Sequence, residues 1–131
     1  MNVLILEDDQ NRIRWFQSHI PSAYFYEKAE DIITRLEAAI ESGESIDYLF
    51  LDHDLGGNIF VDSSRTDTGM EVVRWLRNRM SGERTPAIGM VIVHSHNRKA
   101  GQEMYSALWS SGYDCLRIPY LYLRHLVSLF A

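Results

Sequence analysis

Three short apolar runs, at residues 3–6, 48–51 and 90–93, each break off into a polar cluster: Glu7-Asp8-Asp9, Asp52-His53-Asp54 and His94-Ser95-His96-Asn97. Short continuous runs of this kind read as strands covered on both faces, as in parallel sheets. Between them the period changes to that of helices. Asp9 can cap a helix whose Ile13, Phe16 and Ile20 share one face before Pro21 stops it. Residues 23–26 form a short second strand, and Ala29, Ile32, Ile33, Leu36 and Ile40 come next at helical spacing up to Gly43. Val72, Val73, Leu76 and Met80 mark a third helix, terminated by Ser81-Gly82 and Pro86. Met104, Ala107 and Leu108 mark a fourth ending at Gly112, before a strand over 113–118 and a last helix over 121–130.

Five strands alternating with helices, joined by right-handed crossovers, predict a three-layer α/β sandwich. Its five-stranded parallel sheet takes the flavodoxin-like order 2-1-3-4-5. Strand 1 then lies beside strand 3, and the switch point falls between Glu7-Asp8 and Asp52, at the edge where open α/β folds take ligands. With no repeat, low-complexity tract or linker, residues 1–131 read as a single domain.

Composition narrows the function. A formal net charge of −5 argues against broad binding to a nucleic-acid backbone, though a short RNA end stays open as a substrate. No apolar run approaches the roughly 18 residues of a membrane span. The first residues enter a strand without the basic region of a secretory signal, and the one cysteine, Cys115, allows no internal disulfide; both point to the cytoplasm. Cys115 reads as core. Arginine greatly outnumbers lysine, mostly on solvated helix faces.

The chemistry is concentrated at the three clusters. Glu7, Asp8 and Asp52 are hard oxygen donors from two adjacent strand ends, suited to Mg2+ or Mn2+, with Asp54 a further candidate ligand. Asp52 is a candidate nucleophile toward a phosphoryl group or a ligand only. His53, His94 and His96 are candidate proton carriers, since imidazole titrates near neutral pH. On a continuing strand His94 and His96 project to one side, and a loop beginning at Ser95 breaks that alternation. Ser95 and Asn97, ahead of a helix N-terminus, form a candidate phosphate rim, with Gly56-Gly57 free to turn around an anion. Asn97 also reads as a helix cap. In the loop after the glycines, Arg65 is a candidate phosphate clamp and Phe60 a candidate base-stacking ring.

An acidic pair, a strand-end aspartate and a hydroxyl after the fourth strand make the chain similar to a response-regulator receiver domain over essentially its full length. That resemblance implies that Glu7 and Asp8 bind magnesium with a phospho-accepting Asp52, and that Ser95 contacts the phosphoryl group. A receiver carries a lysine before the proline that comes after strand 5. Here Ile118 precedes Pro119, and Arg117 falls on the opposite face. The segment 56–67 is also longer than the receiver loop before its Asp-Gly turn. The words Leu51-Asp52-His53-Asp54-Leu55-Gly56-Gly57 and Val93-His94-Ser95-His96-Asn97 are more similar to a divergent branch, the predicted cyclic-phosphate-processing receiver domains. This branch implies hydrolysis or sensing of cyclic phosphates in bacterial or phage RNA repair and conflict systems. It makes His53, Asp54, His94, Ser95 and Asn97 the added functional residues.

Three functions suit these residues. The first is a metal-dependent phosphoesterase or sensor acting on cyclic phosphates of RNA-end or cyclic-nucleotide type. The second is a phospho-accepting or pseudo-receiver signalling module with Asp52 as acceptor and a protein partner. There Trp109, Tyr120, Tyr122 and Leu123 offer an aromatic patch for that partner or for a homodimer. The third is an inactive receiver that binds magnesium for stability alone.

Overall fold

A computed structural model describes residues 1–55, 62–79 and 84–125. Along the chain run β1 (Val3–Leu6), α1 (Gln10–His19), β2 (Tyr24–Tyr26), α2 (Ala29–Ser42) and β3 (Ser45–Leu51). After these come α3 (Gly69–Arg79), β4 (Ala87–Val93), α4 (Arg98–Ser110), β5 (Cys115–Arg117) and α5 (Tyr120–Leu123). The strands form a five-stranded sheet in the order β2-β1-β3-β4-β5, all neighbours parallel, as the pattern predicted.

Alternation along the buried strands splits the core in two. Leu4, Leu6, Leu49, Leu51, Val91 and Val93 face α2, α3 and α4, while Val3, Ile5, Phe50 and Ile92 face α1 and α5. Helices therefore cover both faces. The helix starts are set locally: Asp9 Oδ1 accepts from the backbone N–H of Asn11 at 2.9 Å and of Arg12 at 3.1 Å. At the other end of α2, Gly43 takes φ of 70°, the left-handed cap that glycine adopts without strain.

β3 and β4 both begin earlier than their apolar runs suggest. Their first residues alternate in burial, with Ser45, Asp47, Ala87 and Gly89 exposed, so a search for continuous apolar sequence misses them. Leu123 also departs from the aromatic patch expected of it. It is 1% exposed and packs with Phe16 and Phe50, whereas Trp109 and Tyr122 are exposed. Met80, Ser81-Gly82 and residues 126–130 of the expected last helix lie outside the described residues. Among the described residues no helix is long and apolar enough to cross a membrane.

Cys115 is buried beside β4, and burial pushes its thiol up to about 12. We predict that a thiol reagent at mildly alkaline pH labels the urea-unfolded chain roughly a hundredfold faster than the native one. Equal rates would mean that β5 is not held in the sheet.

Candidate functional site

Register builds the site. Leu6 pairs with Leu51, and Leu51 with Val93, so the next residues of β1, β3 and β4 emerge side by side: Glu7, Asp52 and His94. Backbone bonds continue the sheet through them, from Asp52 N to Leu6 O at 3.1 Å and from His94 N to Leu51 O at 3.0 Å. Glu7 and His94 are fully buried and Asp52 is 4% exposed. One donor atom from each lies within 4.8 Å of the others, a spacing that can hold a metal ion.

His94 Nε2 is 3.0 Å from Glu7 Oε1, and the ring stands edge-on to Phe16 and Phe50 at centroid distances of 5.4 and 6.3 Å. Glu7 Oε2 accepts from the backbone N–H of Asp8 and Asp9, at 3.1 and 3.2 Å. Asp52 Oδ1 accepts from His53 N at 2.9 Å. The guanidinium of Arg12 stands 3.5 Å from Glu7 Oε1 and 3.8 Å from Asp52 Oδ2.

The two carboxyls are driven apart in acidity. Burial alone would raise Glu7, but the hydrogen bond and charge of His94, helped by Arg12, outweigh it and hold Glu7 at about 2. Asp52 is raised well above its ordinary value, first by burial and then by the negative charge of Glu7. Two carboxylates this close cannot both be ionised cheaply without a further cation.

A second constellation sits on the loop after β3. His53 is fully buried, and its Nδ1 lies 2.7 Å from Asp54 Oδ1. Asn97 Nδ2 donates to the same oxygen at 3.1 Å, while Asn97 Oδ1 caps α4 by accepting from Ala100 N at 3.1 Å. Asn97 N donates in turn to Ser95 Oγ at 3.0 Å. Two buried ring nitrogens, His53 Nε2 and His94 Nδ1, have no hydrogen-bond partner among the described residues. A buried polar atom of this kind is satisfied by an ordered water, an ion or a ligand.

Of the residues singled out in the sequence, the structure gathers Glu7, Asp52 and His94 into one trio. Asp8 stands half-buried beside it, and Asp54 is engaged by His53 and Asn97. β4 ends at Val93, so His94 turns inward while His96 is exposed, its ring 6.3 Å from that of Tyr120. Burial, then the charge of Arg12, lowers the His96 imidazole below its ordinary value. Arg65 pairs with Asp67 at 2.6 Å. Gly56, Gly57 and Phe60 lie outside the described residues.

Two residues of the site went unread in the sequence. Arg12 carries a positive charge in the first turn of α1, where the helix dipole disfavours it and no acidic neighbour in that turn offsets it. That mismatch was the available signal. Gly69, at the start of α3, donates its N–H to His53 O at 2.9 Å. A Cβ built there would fall 1.8 Å from the carbonyl oxygen of Asp52.

Residues 3–110 match the family model for the cyclic-phosphate processing receiver domain. The chain belongs to this family. No curated protein matches it. The matched span of the receiver domain runs from β1 through α4 and holds both constellations. Beyond it, Ile118 packs with the apolar cluster of α1 and α5. Arg117 points the other way, toward α4, where a Cβ built at Gly101 would lie 3.0 Å from its Nε.

Crowding at Gly69 and at Asp52 is measurable. Ala at Gly69 must displace either the start of α3 or the carbonyl of Asp52, so Gly69→Ala is expected to cost about 3 kcal/mol in urea denaturation. A loss under about 1 kcal/mol would mean that the contact relaxes freely. Folding raises the Asp52 carboxyl, so the folded chain takes up a proton there. Stability then falls as pH rises from the ordinary carboxylate range through the raised one. In chelator-treated protein at neutral pH, Asp52→Asn should raise Tm by several degrees, about 1 kcal/mol, and flatten that dependence. A lowered Tm would show that the ionised carboxylate stabilises the fold.

Proposed function

We propose that this receiver domain is a metal-dependent phosphoesterase acting on cyclic phosphates of the RNA-end or cyclic-nucleotide type. The observation that carries the reading is the buried trio of Glu7, Asp52 and His94, with an exposed histidine, His96, two residues beyond its last member. A pure phospho-switch has no use for imidazoles at this edge. A divalent cation held by the trio would polarise a phosphoryl oxygen. The nitrogen donor of His94 tilts the choice from Mg2+ toward Mn2+, since Mg2+ prefers an all-oxygen shell.

The protein's own part is positioning and proton transfer. Opening a cyclic phosphate joins a water oxygen to phosphorus, breaks one ring P–O bond, and moves the water's proton to the freed sugar oxygen. His96, exposed and within electrostatic reach of Glu7 and His94, is suited to take the first proton and return it to the leaving oxygen. Ser95, Asn97 and the N-terminus of α4 would line the anion side. The substrate class is a phosphate-containing small molecule or an RNA end.

The signalling reading keeps one observation in its favour: Asp52 comes directly after β3 and Ser95 after β4, as in phospho-accepting receivers. Against it stands Ile118, which offers no ammonium to hold a phosphoryl group.

Calorimetric titration of Mn2+ and Mg2+ into wild type and Asp52→Ala, with and without a 2′,3′-cyclic nucleotide, separates the readings. The expected result is Mn2+ binding lost in Asp52→Ala, nucleotide binding that needs the metal, and a phosphomonoester product seen by phosphorus NMR. His96→Gln should then lower turnover by about 100-fold or more while sparing Mn2+ binding. Metal binding without nucleotide binding, together with a beryllofluoride response at Asp52, would favour the switch. No metal binding would remove the basis of both.

A further inference from the structure

Where other arginines of this fold meet an acidic partner they hold it closely: Arg35 reaches Glu44 at 2.7 Å, Arg65 reaches Asp67 at 2.6 Å, and Arg74 reaches Glu71 at 3.0 Å. Arg12 does not. It faces two buried carboxylates yet stops at 3.5 and 3.8 Å, beyond hydrogen-bond contact, and no hydrogen bond among the described residues uses its guanidinium. Instead the group lies over the ring of Tyr120, 5.1 Å from its centroid. Trp15 braces that ring edge-on at 5.3 Å. An aromatic backing of this kind fixes the plane of a guanidinium while leaving its N–H fork pointed elsewhere.

The side chain is 21% exposed, so it stands at the lip of the site rather than within it. It therefore supplies charge to the trio without satisfying it. Its five donors stay uncommitted beside the place where a phosphoryl group would arrive.

We propose that Arg12 is the phosphate-anchoring residue of this site, and that it exchanges partners as the site fills. With no divalent cation present, its charge offsets Glu7 and Asp52. A cation between those carboxylates takes over that role and repels the guanidinium, which then needs a new anion. Two non-bridging oxygens of a phosphoryl group match its fork in a bidentate manner. Metal and phosphate binding become coupled through one side chain: the cation competes with Arg12 for the carboxylates, and the phosphate relieves the repulsion the cation creates. Linkage makes that coupling reciprocal. This inference rests on the metal site proposed above.

The test measures two affinities in wild type, Arg12→Gln and Arg12→Lys. One is for Mn2+ alone; the other is for a 2′,3′-cyclic nucleotide, with inorganic phosphate as a second anion, at saturating Mn2+. For Arg12→Gln, Mn2+ affinity should rise several-fold, because the competing charge is gone, while anion affinity falls by about tenfold or more. Arg12→Lys keeps the charge but not the fork. Its Mn2+ affinity should stay near wild type while anion affinity recovers only in part. Opposite changes in the two affinities are what a merely structural role would not produce. If anion affinity in Arg12→Gln equals that of wild type, or if Mn2+ affinity falls, Arg12 does not anchor phosphate, and the metal-site reading survives. If wild type binds Mn2+ but neither anion, the anchoring role is also overturned. If wild type binds no Mn2+, the metal site itself fails and this inference fails with it.

Discussion

The chemistry of this chain depends on keeping three parallel strand ends in register. Leu6, Leu51 and Val93 lie in one row of the sheet, so the residues just past them are forced into one small volume. Those residues are a glutamate, an aspartate and a histidine. A slip of one residue in any strand would send its member of the trio to the opposite face and dissolve the cluster. The apolar pattern prevents the slip, because it would turn leucine and valine out of two closed cores at once.

Within that frame electrostatics sorts the acidic groups. Glu7 pairs with His94 Nε2 in a closed setting of aromatic rings, which leaves Asp52 as the carboxyl still short of a counter-charge. Arg12 brings a positive charge toward it but stands off. An arrangement that is self-sufficient would have closed that gap, as the ion pairs on the surface do. The open gap fits a site whose complement of charge is completed from outside.

The order of the sheet, the alternation of its two cores and the caps at Asp9, Gly43 and Asn97 were all legible in the sequence, because each obeys a short-range rule. So was the meeting of Glu7 with Asp52, once strand 1 was set beside strand 3. The partition of the acidic residues was not legible. Whether Asp54 serves a cation or a neighbouring histidine depends on where one loop turns, and no periodicity encodes that. Arg12 was hidden for a different reason: in a chain rich in arginine, a helical arginine reads as solvated surface. Only its place in the first turn, against the helix dipole, set it apart. Gly69 was hidden because a glycine at a helix start looks like ordinary punctuation until the Asp52 carbonyl is found beneath it.

The side chain of Asn97 joins two parts of the chain that the topology keeps separate. Its oxygen closes the first turn of α4, and its amide reaches across to Asp54, which also takes the ring of His53. Fraying of α4 at that end would strip a partner from Asp54, and a shift of the loop after β3 would in turn unsettle the helix cap. The helix start and the loop thus open or stay closed as one cooperative unit. Whatever settles against His53 is thereby connected, through Asp54 and Asn97, to the first turn of α4.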